Sequence, residues 1–436
     1  MSYIVAIVGR PNVGKSTFFN RLIGERKAII DNVSGVTRDR IYGTSDWNGK
    51  EFTVVDTGGY VKGSSDIFES EIRRQVDIAI EEAHVILFLT DAVTGITDLD
   101  LEIARKLRKI STKVILVVNK VDNPERNILA TEFFSLGFED TAFIAAISGS
   151  GTGDLLDMVI NKLPKEESKP DLDENIPKIA IVGQPNVGKS SMTNALLGEE
   201  RNIVTDIPGT TRDAIYTLYN KFDKTFYLID TAGIRKKAKV HEDLEFYSVI
   251  RAIKTIEEAD VCILMLDASV GLESQDLSIL GLIQKRKKGV VIVVNKWDLI
   301  EKETNTARDF EKNLKNKIQP FDDVPVLFTS VLDKQRIFKT IETALEVAQN
   351  RQQKIKTSQL NDLMLGIIEK NPPPSSRGKF IKIKYVTQLP IYYPAFVFYC
   401  NSPDEVKQSY RNFIENQLRK NFNFTGVPIS VYFRQK

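Results

Sequence analysis

The chain is poor in the residues that staple or metallate small folds. Its 436 residues include two cysteines, two histidines and two tryptophans. Cys262 and Cys400 both stand inside apolar runs. That excludes a disulfide framework and reads as buried thiols in a reducing compartment. No His/Cys/carboxylate cluster has zinc-ligand spacing, so no zinc is expected. No apolar run reaches about 18 residues and no cleavable leader is visible, so a membrane-transport role is disfavoured and a cytoplasmic protein without stable membrane association is expected. Net charge is also small, +2, but it is unevenly placed. Residues 351–436 carry 14 Lys/Arg against 5 Asp/Glu, a net of +9, and the remainder carries 46 against 53, a net of −7. A basic tail on an acidic body points to a polyanionic partner.

What the chain has is a repeat. GRPNVGKS at 9–16 returns as GQPNVGKS at 183–190, with seven of eight letters shared at an offset of 174. SGVTRDRIY (34–42) and VVDTGG (54–59) return as PGTTRDAIY (208–216) and LIDTAG (228–233) at the same offset. FLTDAVTGIT (88–97) and VVNKVD (117–122) return as LMLDASVGLE (264–273) and VVNKWD (293–298) at 176. A whole domain is duplicated. In both copies continuously apolar, β-branched runs read as parallel strands buried on both faces, with amphipathic crossover helices between them. Asn48-Gly49 lies between two strand-like runs and predicts an antiparallel hairpin in the first sheet. The expected organisation is a first α/β domain at 1–163, a charged, proline-containing linker at 164–176, a second α/β domain at 177–350 and a different domain at 351–436.

Gly-x4-Gly-Lys-Ser after a strand and before a helix is a phosphate cradle. Its glycines let backbone N–H groups wrap phosphate oxygens, its lysine reaches the β/γ-phosphates and its hydroxyl binds Mg²⁺. This assigns Gly9, Asn12, Val13, Gly14, Lys15, Ser16 and Thr17 to the first site. Gly183, Asn186, Val187, Gly188, Lys189, Ser190 and Ser191 take the same places in the second. A plain glycine-rich turn would not recur in the same context twice. Asn-Lys-x-Asp at a strand end separates guanine from adenine: Asn119, Lys120 and Asp122, then Asn295, Lys296 and Asp298. A carboxylate accepts from guanine N1–H and the exocyclic amine, and adenine would leave it unpaired. Asp56 and Asp230 are expected to hold Mg²⁺ through water. Gly59 and Gly233 would sense the γ-phosphate, and Thr37 and Thr211 would close on both. The expected ligands are therefore GTP or GDP with Mg²⁺.

On these motifs the chain resembles the Era-type GTPases, and with two such domains in tandem it resembles the double-Era-like family over essentially its whole length. The resemblance implies two P-loop NTPase domains of the Ras-like G class with mainly parallel sheets, followed by a small α+β KH-like domain. It implies a bacterial GTPase that acts on maturation of the large ribosomal subunit, with that subunit and its rRNA as partners, and a monomer is expected. Three departures stand out. Ser148-Gly149 and Ser330-Val331 stand where the family's guanine loop reads Ser-Ala, so only the serines carry over. Ser34 replaces the second copy's Pro208. The tail lacks the Gly-x-x-Gly loop of RNA-clamping KH modules.

A glutamine is missing as well. Ras-like enzymes place Gln after Asp-x-x-Gly to orient the attacking water, and here the position holds Tyr60 and Ile234. Either the copies hydrolyse poorly, leaving a nucleotide-gated binding protein in which one copy only senses, or another group stabilises the transition state. The resemblance implies that Asn12 and Asn186 help ligate K⁺ where an arginine finger would act. A turn-stabilising asparagine is the plainer reading. Basic residues in GIRKKAKVHEDLEFY could help instead, or form a solvated loop. His84 is read as a strand-edge residue, and Trp297 as packing. In the tail, a helix at 358–370, a strand with Ile381, Ile383 and Tyr385 on one side, the strand AFVFYC, a helix with Val406, Tyr410, Phe413, Ile414 and Leu418 on one face, and the strand ISVYF give α-β-β-α-β. PIYYPAFVFY fits core strand plus turn better than a base-stacking platform.

Overall fold

The computed structural model describes residues 3–24, 42–56, 76–77, 79–80, 83–164, 172–197, 215–222, 224–230, 245–301, 303, 305–375 and 380–435. Thr37, Gly59, Tyr60, Thr211, Gly233, Ile234, Ser34 and Pro208 lie outside them, as do residues 231–244, 165–171 and Gly378. The chain divides into two compact units, Met1–Lys169 and Pro170–Lys436.

The first unit is built on six strands: β1 (Tyr3–Val8), β2 (Tyr42–Trp47), β3 (Lys50–Asp56), β4 (Val85–Asp91), β5 (Val114–Asn119) and β6 (Thr141–Phe143). Their order is β2-β3-β1-β4-β5-β6. β1 lies between β3 and β4, parallel to both. Every residue of β4 and β5 is buried, as runs covered on both faces require. β2 and β3 form the expected hairpin, with Asn48 (φ 49°) and Gly49 (φ 78°) at its turn. Two positive φ values in a two-residue loop match the right-handed twist of the flanking strands.

The second unit repeats the plan with β7 (Lys178–Gly183), β8 (Ile215–Lys221), β9 (Lys224–Asp230), β10 (Val261–Asp267), β11 (Gly289–Asn295) and β12 (Val326–Phe328). The order β12-β11-β10-β7-β9-β8 is the same sequence of neighbours, and β8–β9 is its antiparallel hairpin. A third sheet follows, with order β13-β14-β15: β13 (Ile383–Gln388), β14 (Ala395–Cys400) and β15 (Ser430–Gln435). Helices Thr357–Lys370 and Gln408–Asn421 complete α-β-β-α-β, and Leu360, Met364, Ile414 and Leu418 share one core with Phe396, Phe398 and Phe433.

One expectation fails locally. Ile381 and Ile383 are buried, but Tyr385 is 40% exposed and Val386 is fully buried. The register shifts between Ile383 and Tyr385, and a bulge of this kind sends the following side chains to the opposite faces. Two other readings agree with the geometry. Trp297 packs on Phe328 and Phe310, with ring centroids 4.2 and 5.6 Å away. His84 Nδ1 accepts the Ile4 N–H at 2.9 Å, just before β4. In the second copy Asp260 accepts the Lys178 N–H at 3.0 Å.

Candidate functional site

Each phosphate loop leaves the central strand of its sheet and enters a helix, Lys15–Ile23 or Lys189–Leu197. Asn12 (φ 65°) and Gly14 (φ 97°) are left-handed, as are Asn186 (φ 63°) and Gly188 (φ 100°). Such a turn points successive N–H groups into one concavity, beside a helix N-terminus with its own free donors. Glycine is required at the last of these positions. A Cβ at Gly14 or Gly188 would collide with the amide nitrogen of Asn119 or Asn295. Gly9 and Gly183 abut the carbonyls of Leu89 and Met265 in the same way.

Lys15 is 8% exposed, and its Nζ donates to the carbonyls of Gly9 and Arg10, both at 2.8 Å. Burial pushes its ammonium down to about 8, against the attraction of Asp56 and with the help of Arg10. Lys189 Nζ donates to the Gln184 carbonyl at 2.5 Å. Ser16 Oγ donates to Asp56 Oδ2 at 2.8 Å, which sets two hard oxygens side by side at the end of β3. Asp230 ends β9 in the corresponding place, and its side chain is outside the described residues. Thr17 and Ser191 are exposed in the first turns of their helices, and Val13 and Val187 are buried beneath the loops.

Asn119 and Asn295 join the loops into one site. Asn119 Nδ2 donates to the Val13 carbonyl at 2.8 Å, and its Oδ1 accepts the Ala146 N–H at 2.9 Å. Asn295 donates to the Val187 carbonyl at 2.8 Å and accepts the Val331 N–H at 3.1 Å. Lys120 (φ 67°) and Lys296 (φ 62°) are left-handed, and each ammonium stands 2.7 Å from a carboxylate, Asp91 or Asp267. Burial opposes ionisation of Asp91, but Lys120, Thr94 and the Val93 N–H outweigh it and hold the carboxyl below its usual range. Asp267 is held down in the same way, with Lys296 and Ser269 outweighing burial. These two aspartates were missed in the sequence, although each sits at the same place in a repeated string, TDAVTG and LDASVG.

The guanine loop corrects one equivalence. Ile144 and Thr329 are matched by their N–H bonds to Val118 and Val294. The bridges Ala145–Ser150 and Ser330–Gln335 are matched too. The first-copy counterpart of Ser330-Val331 is therefore Ala145-Ala146, and Ser148 lies three residues beyond Ala145. Ser330 Oγ donates to Asp333 Oδ2 at 2.9 Å and Ser148 Oγ to the Ala145 carbonyl at 3.4 Å, each within its own loop. Arg21 of the helix Lys15–Ile23 fastens this first-copy loop by donating to the carbonyls of Ala146 and Ile147.

Two phosphate cradles, each beside an Asn-Lys-x-Asp strand end on a mainly parallel sheet, define a tandem P-loop GTPase. Residues 4–120 and 178–296 match the family described as 50S ribosome-binding GTPase. Residues 354–434 match the KH-domain-like C-terminal domain of EngA bacterial GTPase enzymes. The chain is 58% identical over 436 residues to a protein of Christiangramia forsetii named GTPase Der, covering 100% of both chains. It is 57% identical over 433 residues to GTPase Der of Flavobacterium johnsoniae, covering 99% of both. With GTPase Der of Bacteroides thetaiotaomicron it shares 58% over 438 aligned residues, again covering 100% of both. The chain belongs to the GTPase Der family. Among the described residues no helix is long and apolar enough to cross a membrane, and no cluster could hold a metal through three or more His, Cys, Asp or Glu side chains.

Proposed function

We propose that this GTPase works as a two-site switch in assembly of the large ribosomal subunit, as a cytoplasmic monomer that meets the particle through rRNA. The carrying observation is the coupling of two complete phosphate and base loops to a tail of 14 basic against 5 acidic residues. Phosphate contact of this kind is strong, salt-sensitive and tolerant of sequence.

In each site the loop N–H groups and Lys15 or Lys189 take the β/γ-phosphates. Lys15 is suited to this: it is already desolvated on carbonyl oxygens, so exchanging them for phosphate oxygens adds charge pairing at little further burial. The adjacent oxygens of Ser16 and Asp56 suit Mg²⁺, a hard cation that prefers oxygen ligands. When bound, Mg²⁺ neutralises charge developing on the phosphates. Ser190 and Asp230 take the same roles in the second site, with Thr37 and Thr211 closing over each. Gly59 and Gly233 donate to the γ-phosphate. Asp122 and Asp298 read the guanine edge, supported by the loops carrying Ala146 and Ser330. Neither copy has the water-orienting glutamine, and Asn12 and Asn186, held left-handed at the loop crest, are the residues we assign to a K⁺ that substitutes for an arginine finger.

The test is co-sedimentation with large ribosomal subunits. Binding should be stronger with a non-hydrolysable GTP analogue than with GDP, should fall steeply with salt, and should weaken in Lys382→Glu/Lys384→Glu. Both lysines are exposed. Binding independent of nucleotide and of salt would refute the switch.

A further inference from the structure

In the first site the base-reading carboxylate is already engaged. The helix Pro124–Ala130 begins two residues after Asp122, and Asn123 caps it by accepting the Arg126 N–H at 2.9 Å. That cap fixes Arg126 one turn beyond Asp122. Its Nη1 lies 2.6 Å from Asp122 Oδ1 and 2.6 Å from Oδ2, and 3.3 Å from the Lys120 carbonyl. Guanine needs both carboxylate oxygens, one for N1–H and one for the 2-amino group. A donor nitrogen equidistant from the two oxygens competes for both at once.

We propose that Arg126 is a built-in competitor for the guanine base: it pairs with Asp122 until the nucleotide arrives and is displaced by it. The proposal rests on Asp122 as the base reader. The pairing holds the carboxylate in one orientation before binding, with both of its oxygens turned to the same donor. The same pairing subtracts from nucleotide affinity, because the base can hydrogen-bond Asp122 only after a charge-assisted bond to Arg126 is broken. Side-chain exposures of 33% for Arg126 and 51% for Asp122 place it among solvent-screened pairs. The penalty is therefore modest, about two- to fivefold in Kd. In the second site Asp298 sits in the short turn Trp297–Leu299, and the position matching Arg126 holds Lys302, outside the described residues.

The experiment is calorimetric titration of the full chain carrying Lys189→Ala, which disables the second phosphate loop so that the first is read alone. GDP and pyrophosphate are titrated into this background and into the same background with Arg126→Ala or Asp122→Asn. Arg126→Ala is expected to tighten GDP about two- to fivefold and leave pyrophosphate, which has no base, unchanged. Unchanged or weaker GDP binding overturns the proposal, and so does an equal shift for pyrophosphate, since the effect would then not act at the base. Asp122→Asn separates this failure from that of its premise: if GDP affinity survives that substitution, the base-reading role itself is wrong.

Discussion

Gln184 donates to the buried carboxylate of Asp276 at 2.9 Å, in the place where Arg10 pairs with Asp100 at 3.0 Å. Arg10 and Gln184 are the single letter by which the two phosphate loops differ. Asp100 and Asp276 each cap the helix that follows their copy's repeated Asp-Ala motif, and they are 0% and 2% exposed. One copy neutralises this carboxylate with a cation; the other offers it an amide.

The difference predicts pH dependence in the second copy. Burial pushes Asp276 up to about 6, with nearby Glu273 adding to the rise and the Glu273 N–H, Gln184 and Lys189 opposing it. The unfolded carboxyl titrates near 3.9. The folded state therefore holds the proton more tightly, so its stability contribution is full below about pH 4 and is lost as pH rises through about 6. Between pH 5 and 7.5 the loss should be roughly 1 kcal/mol. Gln184→Arg should remove it. Urea unfolding followed by Trp297 fluorescence in a Trp47→Phe background reads the second copy, and parallel pH profiles for the two proteins would count against this reading of Asp276.

Asn295→Ala should damage fold and site together. The side chain is 4% exposed and spans the Val187 carbonyl and the Val331 N–H. Its removal leaves both backbone groups buried without that partner, a loss of about 2–4 kcal/mol. GDP affinity at the second site should fall at least tenfold even at temperatures where the protein stays folded. Near-normal affinity in a destabilised protein would show that the asparagine braces the fold without shaping the site.

Much of this architecture was legible because the chain states it twice. Loops, strands and spacings that recur at a fixed offset constrain each other, and the two sheets share one strand order. What the letters hid is set by backbone geometry. Ser148 looks like the partner of Ser330, but it is the N–H of residue 146, not a serine side chain, that meets Asn119. The bulge in β13 is equally silent in an alternating pattern. His84 and Asp260 show the converse, since two unlike side chains make the same strand-end contact. The roles expected of Thr37, Thr211, Gly59 and Gly233 fall on positions outside the described residues.

Base selectivity should invert at Asp298. An amide in its place presents a donor where guanine presents donors, so Asp298→Asn should weaken GTP binding at the second site by at least tenfold and improve xanthosine triphosphate binding there. Titration of both nucleotides into the full chain, with the second site assigned by its loss in Lys189→Ala, reads the exchange. Equal GTP affinity in the variant would remove Asp298 from base reading.

Hydrolysis should respond to the monovalent cation. With Tyr60 and Ile234 in the glutamine position, turnover in NaCl should be slow, and KCl at equal ionic strength should raise it by at least tenfold. Asn12→Ala together with Asn186→Ala should abolish the difference while leaving GDP binding within a few-fold. Equal rates of the unaltered protein in both salts would shift attention to the basic residues at 235–239.

The tail should be thermodynamically inseparable from the second GTPase sheet. β12 begins too late to pair with the start of β11, and the Gly426 carbonyl takes that place by accepting the Val290 N–H at 2.8 Å. Gly426 is left-handed (φ 74°), and a Cβ there would stand 2.7 Å from Val347 Cγ2 and 2.8 Å from the Val290 carbonyl. Val427, the next residue, is fully buried within the core of the second sheet, among Val291, Ile341 and Val347. Arg419 completes the joint: it reaches Asp323 at 2.7 Å and the Val427 carbonyl at 3.1 Å, with its guanidinium 5.1 Å from the Phe321 ring centroid. Gly426→Ala combines backbone strain with a clash that neither a strand carbonyl nor a packed valine can relieve, and should cost about 2–4 kcal/mol. Arg419→Ala leaves the half-buried Asp323 without its cation and should cost on the order of 2–3 kcal/mol. In both variants the loss should fall on the second GTPase domain as well as the tail, read as a common downward shift of the Trp297 fluorescence transition and of hydrogen-exchange protection in β11 and β14. Separate transitions in the unaltered protein, with β11 protection untouched by Gly426→Ala, would show that the tail is docked on the sheet without being part of its folding unit.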